Sequence, residues 1–149
     1  MIVASTGTIT LNGTQIVTGP FRTQRDVLNA FGVHVLRVYG YYQFPGKIMI
    51  WFPDCTGGHN QFWRNEFIDR DHILETLNPE NPHAVGIGVG MQLEDYVRIV
   101  FAKQGRPGLY YYAGVFRRNC NSTYERSCYE KIYDSFSVRF QIAECVISP

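Results

Sequence analysis

Long apolar runs, paired metal-type cysteines and a strong net charge are all missing from this sequence of 149 residues. No apolar stretch approaches the roughly 18–20 residues that a membrane helix needs. The opening MIVASTGTITLNGT carries no cationic leader followed by an apolar run, so a signal peptide is not expected. We therefore expect a cytoplasmic protein without a membrane anchor. The length predicts one domain, residues 1–149, that is large enough to bury its own core.

The four cysteines contain no CxxC pair, and the four histidines do not form a metal-binding motif. In a chain without a leader, reduced cysteines are the expectation, and a bridge between Cys120 and Cys128 across a hairpin stays open as the alternative. We predict neither a metal nor a cofactor.

The net charge of +1 excludes a general attraction to polyanions, but the charge is unevenly distributed. Between Arg98 and Lys131 there are seven Arg or Lys against two Glu, whereas between Asp54 and Glu80 there are six acids against two Arg. The basic half favours a localised anion site, and ordinary solvated surface is the alternative interpretation.

Alternating apolar residues around Asn12-Gly13 predict a β-hairpin, and the stretch from Thr23 to Phe31 has the cap and apolar spacing of a short helix. The run KIMIWF predicts a strand that is buried on both faces. Further strands are expected in YVRIVFAK, LYYYAGVFRR and FSVRFQIAECVI, and FWRNEFIDRDHILETL has a helical or mixed period. The fold prediction is a β-rich α+β domain with six to eight strands and one or two helices, arranged as a small curved antiparallel or mixed sheet or an open barrel.

Catalytic motifs are scarce. The chain has no nucleophile elbow, and the glycines of AVGIGVGMQL lack the final glycine and the following helix of a dinucleotide site. A cluster of Glu66, Asp69 and Asp71 could do acid–base chemistry or simply face solvent. A metal-dependent nuclease acting through His59 and His72 is kept as the minor alternative to a non-enzymatic protein, for which no catalytic residue is predicted.

Aromatic and cationic side chains together suggest a different chemistry. Stacking of a nucleobase needs flat π-surfaces, a polar group for the base edge and cations for phosphates. The predicted ligand-binding residues are Trp51, Trp63, Asn65, Tyr112 and Phe116, and the predicted phosphate contacts are Arg98, Lys103, Arg117, Arg118 and Lys131. Because side chains alternate along a strand, Tyr110 and Tyr112 share one face and Tyr111 the other, so one of these sets must be core. Trp51 has both a core and a ligand-facing interpretation.

The order of several short motifs resembles the PUA-like domains of restriction and defence proteins, a group that includes the SRA, EVE and YTH readers of modified bases. The similarity covers roughly Ile48 to Val138 and rests on these pieces: Trp51-Phe52-Pro53, Trp63 to Asn65, Arg98 to Lys103, Tyr112 to Phe116 and Tyr129 to Asp134.

This resemblance implies a small curved β-barrel that holds a flipped base, with Trp63 and Tyr112 stacking on it and Asn65 reading its edge. Arg98, Arg117 and Lys131 would hold the nucleic-acid backbone. The expected partner is DNA or RNA with a modified base, and an effector protein would be supplied by another chain. The alternative is a β-rich module for protein interaction or homodimerisation, because aromatics and arginine are also favoured anchors of protein interfaces.

Overall fold

The fold is described from a computed structural model for residues 2–57, 63–77, 96–119, 126–141 and 144–149. Within these ranges the chain forms one helix and eleven strands. In chain order they are β1 (Ile9–Leu11), β2 (Thr14–Ile16), α1 (Gln24–Ala30), β3 (Tyr41–Phe44), β4 (Ile48–Trp51), β5 (Trp63–Asp69), β6 (His72–Leu77), β7 (Val97–Gln104), β8 (Leu109–Arg118), β9 (Arg126–Tyr133), β10 (Phe136–Gln141) and β11 (Glu144–Ser148).

The strands form two mixed sheets. The larger sheet has the order β3-β4-β7-β8-β9-β6-β5, in which β4 and β7 are parallel and all other neighbours are antiparallel. The smaller sheet has the order β11-β10-β1-β2, with β1 and β10 parallel. In the described ranges the end strands β3 and β5 of the larger sheet each pair with one neighbour, so this sheet is open.

One face of the larger sheet packs against α1 and the smaller sheet. Along β7 the side chains of Val97, Ile99 and Phe101 enter this core. The helix and the smaller sheet contribute buried Val27, Leu28, Phe31, Ile9, Phe136 and Val138. Burying a large apolar side chain completely contributes about 1.5–3 kcal/mol, so this face supplies much of the driving force for folding.

The opposite face carries a second core cluster. Its buried members include Met49, Trp51, Val100, Phe116 and Tyr129. Because Ile48 and Ile50 of the same strand belong to the first core, β4 is buried on both faces. The prediction from the continuous apolar run KIMIWF is therefore confirmed.

A β-bulge in β8 changes which side chains face which core. Val100 pairs with Gly114 and Phe101 pairs with Tyr112, which leaves Ala113 as the extra residue. Gly114 has φ +124°, a conformation that side-chain-bearing residues rarely adopt. The extra residue reverses the alternation, so Tyr112 lies in the first core and Phe116 in the second.

Several sequence predictions are confirmed. Asn12 and Gly13 have φ values of 48° and 86° and join β1 to β2, as the hairpin signal predicts. The helix begins after Thr23, whose Oγ1 accepts a hydrogen bond of 3.1 Å from the backbone N of Asp26. The β-rich α+β class is also confirmed.

The helical interpretation of FWRNEFIDRDHILETL is wrong for its described part. β5 and β6 form an antiparallel hairpin there, and the Asp69 carboxylate accepts a 2.8 Å hydrogen bond from the backbone N of Asp71 at the turn. A side chain that bonds the backbone two residues on is a turn signal, and it outweighs the helical spacing of the apolar residues.

Two strand boundaries also differ from the sequence prediction. The stretch FSVRFQIAECVI forms β10 and β11, which pair with each other as an antiparallel hairpin instead of making one strand. The strand that follows β8 in the sheet is β9, a segment for which the sequence analysis predicts no strand. The glycine-rich AVGIGVGMQL, residues 84–93, lies outside the described residues.

Across the ranges that the structure describes, no helix has the length and apolar character needed to cross a membrane.

Candidate functional site

A cavity of about 460 Å³ adjoins the second core cluster. We call it the Arg98 cavity. Its walls come from α1, from β3 to β8 and from the two segments that flank β3 and β4, and they include Gln24, Val38, Tyr39, Gly40, Tyr41, Met49, Trp51, Phe52, Pro53, Asp54, Trp63, Asn65, Glu75, Arg98, Lys103 and Tyr110. This volume is within the range of about 300–1,000 Å³ that is typical of small-molecule sites.

Arg98 is the most unusual side chain in this cavity, because it is charged and only 4% exposed. Its guanidinium carbon lies 4.7 Å from the ring centroid of Trp51 and 4.2 Å from that of Tyr129. The two ring centroids are 4.8 Å apart and the rings are tilted by 50°. The guanidinium therefore closes a nearly equilateral triangle with two aromatic rings, which attract it through their negative faces.

Strand order explains how this triangle forms. Trp51 is on β4 and Tyr129 is on β9, so β7 and β8 lie between them in the sheet. Three strand spacings would separate the two backbones by about 14 Å in a flat sheet, so both rings must lean inward over the central strands. Arg98 lies on β7, between β4 and β9, and shares the face of Val100 and Ala102, which belong to the second core cluster.

Glu75 supplies the opposite charge. It lies on β6 directly across from Asn65 of β5, and the Asn65 side chain donates a hydrogen bond to its carboxylate. The Tyr129 hydroxyl donates to Glu75 Oε1 over 3.4 Å. Burial raises the pKa of Glu75, while the positive charge of Arg98 and these two hydrogen bonds act in the other direction. Burial likewise raises the pKa of Tyr129 to about 12, so its phenol stays protonated and can donate.

Two buried polar atoms of this cluster have no hydrogen-bond partner within the described residues. They are Nε of Arg98 and Oδ1 of Asn65, and Asn65 is 8% exposed. An unsatisfied buried polar group costs about 1–3 kcal/mol, so such groups normally have a partner, such as a water or a ligand. Both side chains line the Arg98 cavity. The wall of the cavity thus contains one donor and one acceptor that are buried and unused within the described residues.

The rim of the cavity is held by Gln24 of α1. The Gln24 side chain accepts from the backbone N of Gly40 over 3.0 Å and donates to the Tyr110 hydroxyl over 3.2 Å. The backbone N of Phe52 donates to the Gly40 carbonyl over 2.8 Å. These bonds fix the segment before β3, and they leave the Tyr39 side chain 76% exposed at the cavity wall.

A second groove of about 430 Å³ continues from this rim and shares Gln24, Val38, Tyr39, Lys103 and Tyr110 with the Arg98 cavity. We call it the basic groove, because its other walls include the exposed Arg22, Arg25 and Arg37. Within the described residues no ion pair joins these three arginines or Lys103 to a carboxylate. Four cations beside an aromatic cavity create a local positive potential that a net charge of +1 conceals.

The structure brings together some of the ligand-binding residues predicted from the sequence. Trp51, Trp63 and Asn65 line the Arg98 cavity. Tyr112 is buried in the first core, and its hydroxyl donates to the Asp134 carbonyl. Phe116 is fully buried in the second core cluster. Neither of these last two residues lines the cavity.

The predicted phosphate contacts are dispersed. Only Lys103 lies in the basic groove, while Arg98 is buried in the cavity instead of on the surface. Arg117 is exposed and lies opposite Glu130, outside both grooves, and Arg118 Nε donates to Ser127 Oγ over 3.3 Å.

The fifth predicted cation, Lys131, is engaged by two acids. Its Nζ lies 3.1 Å from Asp134 Oδ1 and 3.4 Å from Asp71 Oδ1. Two carboxylates at this range neutralise one ammonium, so Lys131 offers little net charge to a phosphate.

Sequence reasoning missed Glu75, Tyr129, Arg22, Arg25 and Arg37. Glu75 and Tyr129 carry no local signal in the sequence, because each approaches Arg98 only through the strand order of the larger sheet. The three arginines belong to the first third of the chain, where the positive excess is smaller than the one between Arg98 and Lys131 that predicts an anion site. They meet Lys103 only through the fold.

The described residues were also compared with the metal-site and acid–base alternatives. No group of three or more His, Cys, Asp or Glu side chains there is arranged to hold a metal ion. His72 Nδ1 lies 2.8 Å from Asp69 Oδ1 and pairs with it at the surface, which lowers the pKa of Asp69. His59 and Cys120 lie outside the described residues, so the nuclease alternative and the pairing of Cys120 with Cys128 stay predictions.

The sequence matches no protein-family model, and a search of curated proteins also found no match. The resemblance to PUA-like readers therefore stays a prediction from short motifs.

Proposed function

We propose that this chain is a nucleic-acid-binding module that takes one modified or flipped base into the Arg98 cavity. The observation that carries the proposal is the continuity of two features. An aromatic cavity, with two buried polar atoms that have no partner among the described residues, adjoins a groove lined by four cations. A base and its flanking phosphates need these two environments side by side.

The aromatic walls suit a base. Trp51 is already covered by Arg98, whereas Trp63 lies at the start of β5 and is only partly buried. A base inserted next to Trp63 gains stacking of about 1–3 kcal/mol. Met49 and Phe52 supply apolar wall that a methyl-type modification would fill. Arg98, Glu75 and Asn65 supply polar contacts for the base edge.

The basic groove suits the phosphates. Arg22, Arg25 and Arg37 are exposed, so their guanidinium groups are accessible to a nucleic-acid strand. Each phosphate contact releases a counterion, which makes binding weaken as salt rises. The exposed Tyr39, at the junction of the two grooves, is available to stack on a neighbouring base.

Fluorescence titration with short single-stranded DNA and RNA tests the proposal. The chain has two tryptophans, Trp51 and Trp63, and both line the cavity, so a bound base should change their emission. We expect saturable quenching at low salt that weakens with added salt, and we expect Trp63→Phe to remove most of it. No change with any oligonucleotide at low salt would overturn the proposal.

A matched pair of variants locates the phosphate contacts. Arg25→Ala removes a cation of the basic groove, and Arg117→Ala removes an exposed cation outside it. We expect the first to lower the slope of log affinity against log salt by about 0.7–1 and the second to leave it unchanged. The reverse result would favour the strand face that the sequence predicted.

One observation favours a second candidate function, a protein-binding or dimerisation surface. Leu36 is 89% exposed beside the exposed Tyr39, and both line the basic groove. Aromatic side chains with arginine are common at the centre of protein interfaces. A concentration-dependent dimer in sedimentation, lost in Leu36→Ser and insensitive to oligonucleotides, would favour this function over nucleic-acid binding.

A further inference from the structure

We propose that the Arg98 cavity selects guanine, through the edge that carries O6, N1–H and the N2 amino group. This inference deepens the proposed function and rests on it. It comes from counting which donors and acceptors of the cavity are still unused.

The unused acceptors belong to Glu75 and Asn65. A carboxylate has about four lone-pair positions, and Glu75 uses two of them for Tyr129 and Asn65. Because Asn65 Oδ1 makes no hydrogen bond within the described residues, the bond between Asn65 and Glu75 comes from the Asn65 amide NH₂. That orientation leaves Asn65 Oδ1 as a buried acceptor without a partner among the described residues.

The unused buried donor is Nε–H of Arg98. The guanidinium is positioned against Trp51 and Tyr129, so the direction of this N–H is set by two ring contacts. A planar group held in this way recognises a carbonyl oxygen by direction as well as by charge. Among the buried polar atoms of Arg98, Asn65 and Glu75, one donor is therefore unused and acceptors are in excess.

Guanine fits this surplus better than the other bases do. Its edge offers two adjacent donors, N1–H and N2–H, for Glu75 and Asn65, followed by the O6 acceptor for Arg98. Uracil and thymine offer one donor between two acceptors. Cytosine and adenine each offer an amino donor next to a ring-nitrogen acceptor. That ring nitrogen would face the carboxylate of Glu75, and two acceptors repel each other. An unmatched buried polar group is what gives such sites their discrimination.

The decisive test uses the unmodified chain and four oligonucleotides. Each is a short single-stranded thymidine oligomer with one central guanine, hypoxanthine, adenine or cytosine, titrated at low salt with the tryptophan emission as readout. Hypoxanthine keeps O6 and N1–H but lacks the N2 amino group. We expect guanine to bind tightest, and hypoxanthine to bind more weakly by about 5- to 150-fold, because one buried acceptor would lose its hydrogen bond.

The outcomes separate the two proposals. Equal affinity for all four oligonucleotides, or a preference for another base, would overturn guanine selection and leave nucleic-acid binding intact. Equal affinity for guanine and hypoxanthine would show that the N2 amino group is not read, which also overturns it. No binding at all would overturn both.

A variant pair then assigns the contact. Glu75→Gln keeps the shape of the side chain but replaces an acceptor by a donor, so the guanine-to-hypoxanthine ratio should fall towards one. Glu66→Gln is the control, because Glu66 is exposed on β5 and does not line the Arg98 cavity. An unchanged ratio in folded Glu75→Gln would contradict the assignment. If that variant does not fold, the comparison of guanine with hypoxanthine still decides the proposal.

Discussion

The guanidinium of Arg98 lies over the indole of Trp51, with 4.7 Å between Cζ and the ring centroid. The contact is buried, since Arg98 is 4% exposed and Trp51 is 6% exposed. A cation desolvated against an aromatic face contributes about 2 kcal/mol. The same contact therefore stabilises the sheet and positions Arg98 in the cavity wall.

Arg98→Lys is expected to be far from conservative. Lysine keeps the charge, but its compact and strongly hydrated ammonium cannot lie flat against Trp51 and Tyr129 together. We expect a loss of about 1–3 kcal/mol in the free energy of unfolding, measured by urea denaturation followed by circular dichroism. Arg106→Lys, at an exposed turn, is the control and should change stability by less than about 0.5 kcal/mol. Equal effects of the two changes would argue against a structural role for the ring contacts.

The two tryptophans are expected to separate stability from binding. Trp51 is buried and packs against Tyr129 in the second core cluster, so Trp51→Ala should cost about 3–5 kcal/mol of stability. Trp63 is partly buried at the cavity wall, and Trp63→Ala should cost much less stability.

For ligand binding the order of the two variants is reversed, and Trp63→Ala should have the larger effect. Trp63→Ala should weaken oligonucleotide binding by about 1–3 kcal/mol, the usual contribution of one stacked base. Thermal unfolding and fluorescence anisotropy with a labelled oligonucleotide measure the two effects separately. A large stability loss in Trp63→Ala with unchanged binding would reverse the roles given to the two rings.

Local signals in the sequence were sufficient for some elements of the fold. The Asn12-Gly13 turn, the Thr23 cap and the apolar run of β4 each depend on a few adjacent residues, and the structure contains all three. The limits of β8 match the stretch LYYYAGVFRR for the same reason.

Features that depend on strand pairing could not be predicted from the sequence. Strict alternation would place Tyr112 and Phe116 on the same face of β8, and only the pairing of β8 with β7 reveals the extra residue that separates them. Arg98 was expected at a phosphate because arginines in basic stretches are usually exposed. Its burial results from Trp51 and Tyr129, which reach it from strands that are distant in sequence.

Gly7 is expected to tolerate no side chain. A Cβ at this position would lie 2.2 Å from the carbonyl oxygen of Asp134, and this backbone cannot yield as a side chain can. Overpacking of this kind costs about 1–3 kcal/mol, so Gly7→Ala should lower the free energy of unfolding by about that amount.

Gly108 provides the matched control for Gly7. Neither glycine has a positive φ, and a Cβ at Gly108 would instead meet the flexible side chain of Lys103, with Cε at 2.6 Å. We expect Gly108→Ala to cost less than about 1 kcal/mol, because the lysine can move aside. Comparable losses in the two variants, measured by urea denaturation, would show that the contact with Asp134 is not the cause.

The preference for guanine should depend on pH through Glu75. Burial raises the pKa of this carboxyl, so it takes up a proton at a higher pH than the value of about 4.3 for an exposed glutamate. A protonated carboxyl loses an acceptor that the N1–H and N2–H donors of guanine require. The guanine-to-hypoxanthine affinity ratio should therefore be greatest above the raised pKa and fall as pH decreases through it.

Glu75→Gln distinguishes this effect from a general response to acid. Asp54 is the other carboxylate that lines the cavity, and its Oδ1 accepts a 2.9 Å hydrogen bond from the backbone N of Thr56. If Asp54 or the basic groove caused the change, the ratio in Glu75→Gln would still vary with pH. We expect it to be low and constant, because glutamine does not titrate. A ratio in the unmodified chain that stays constant down to the pKa of an exposed glutamate would remove Glu75 from the recognition of the base.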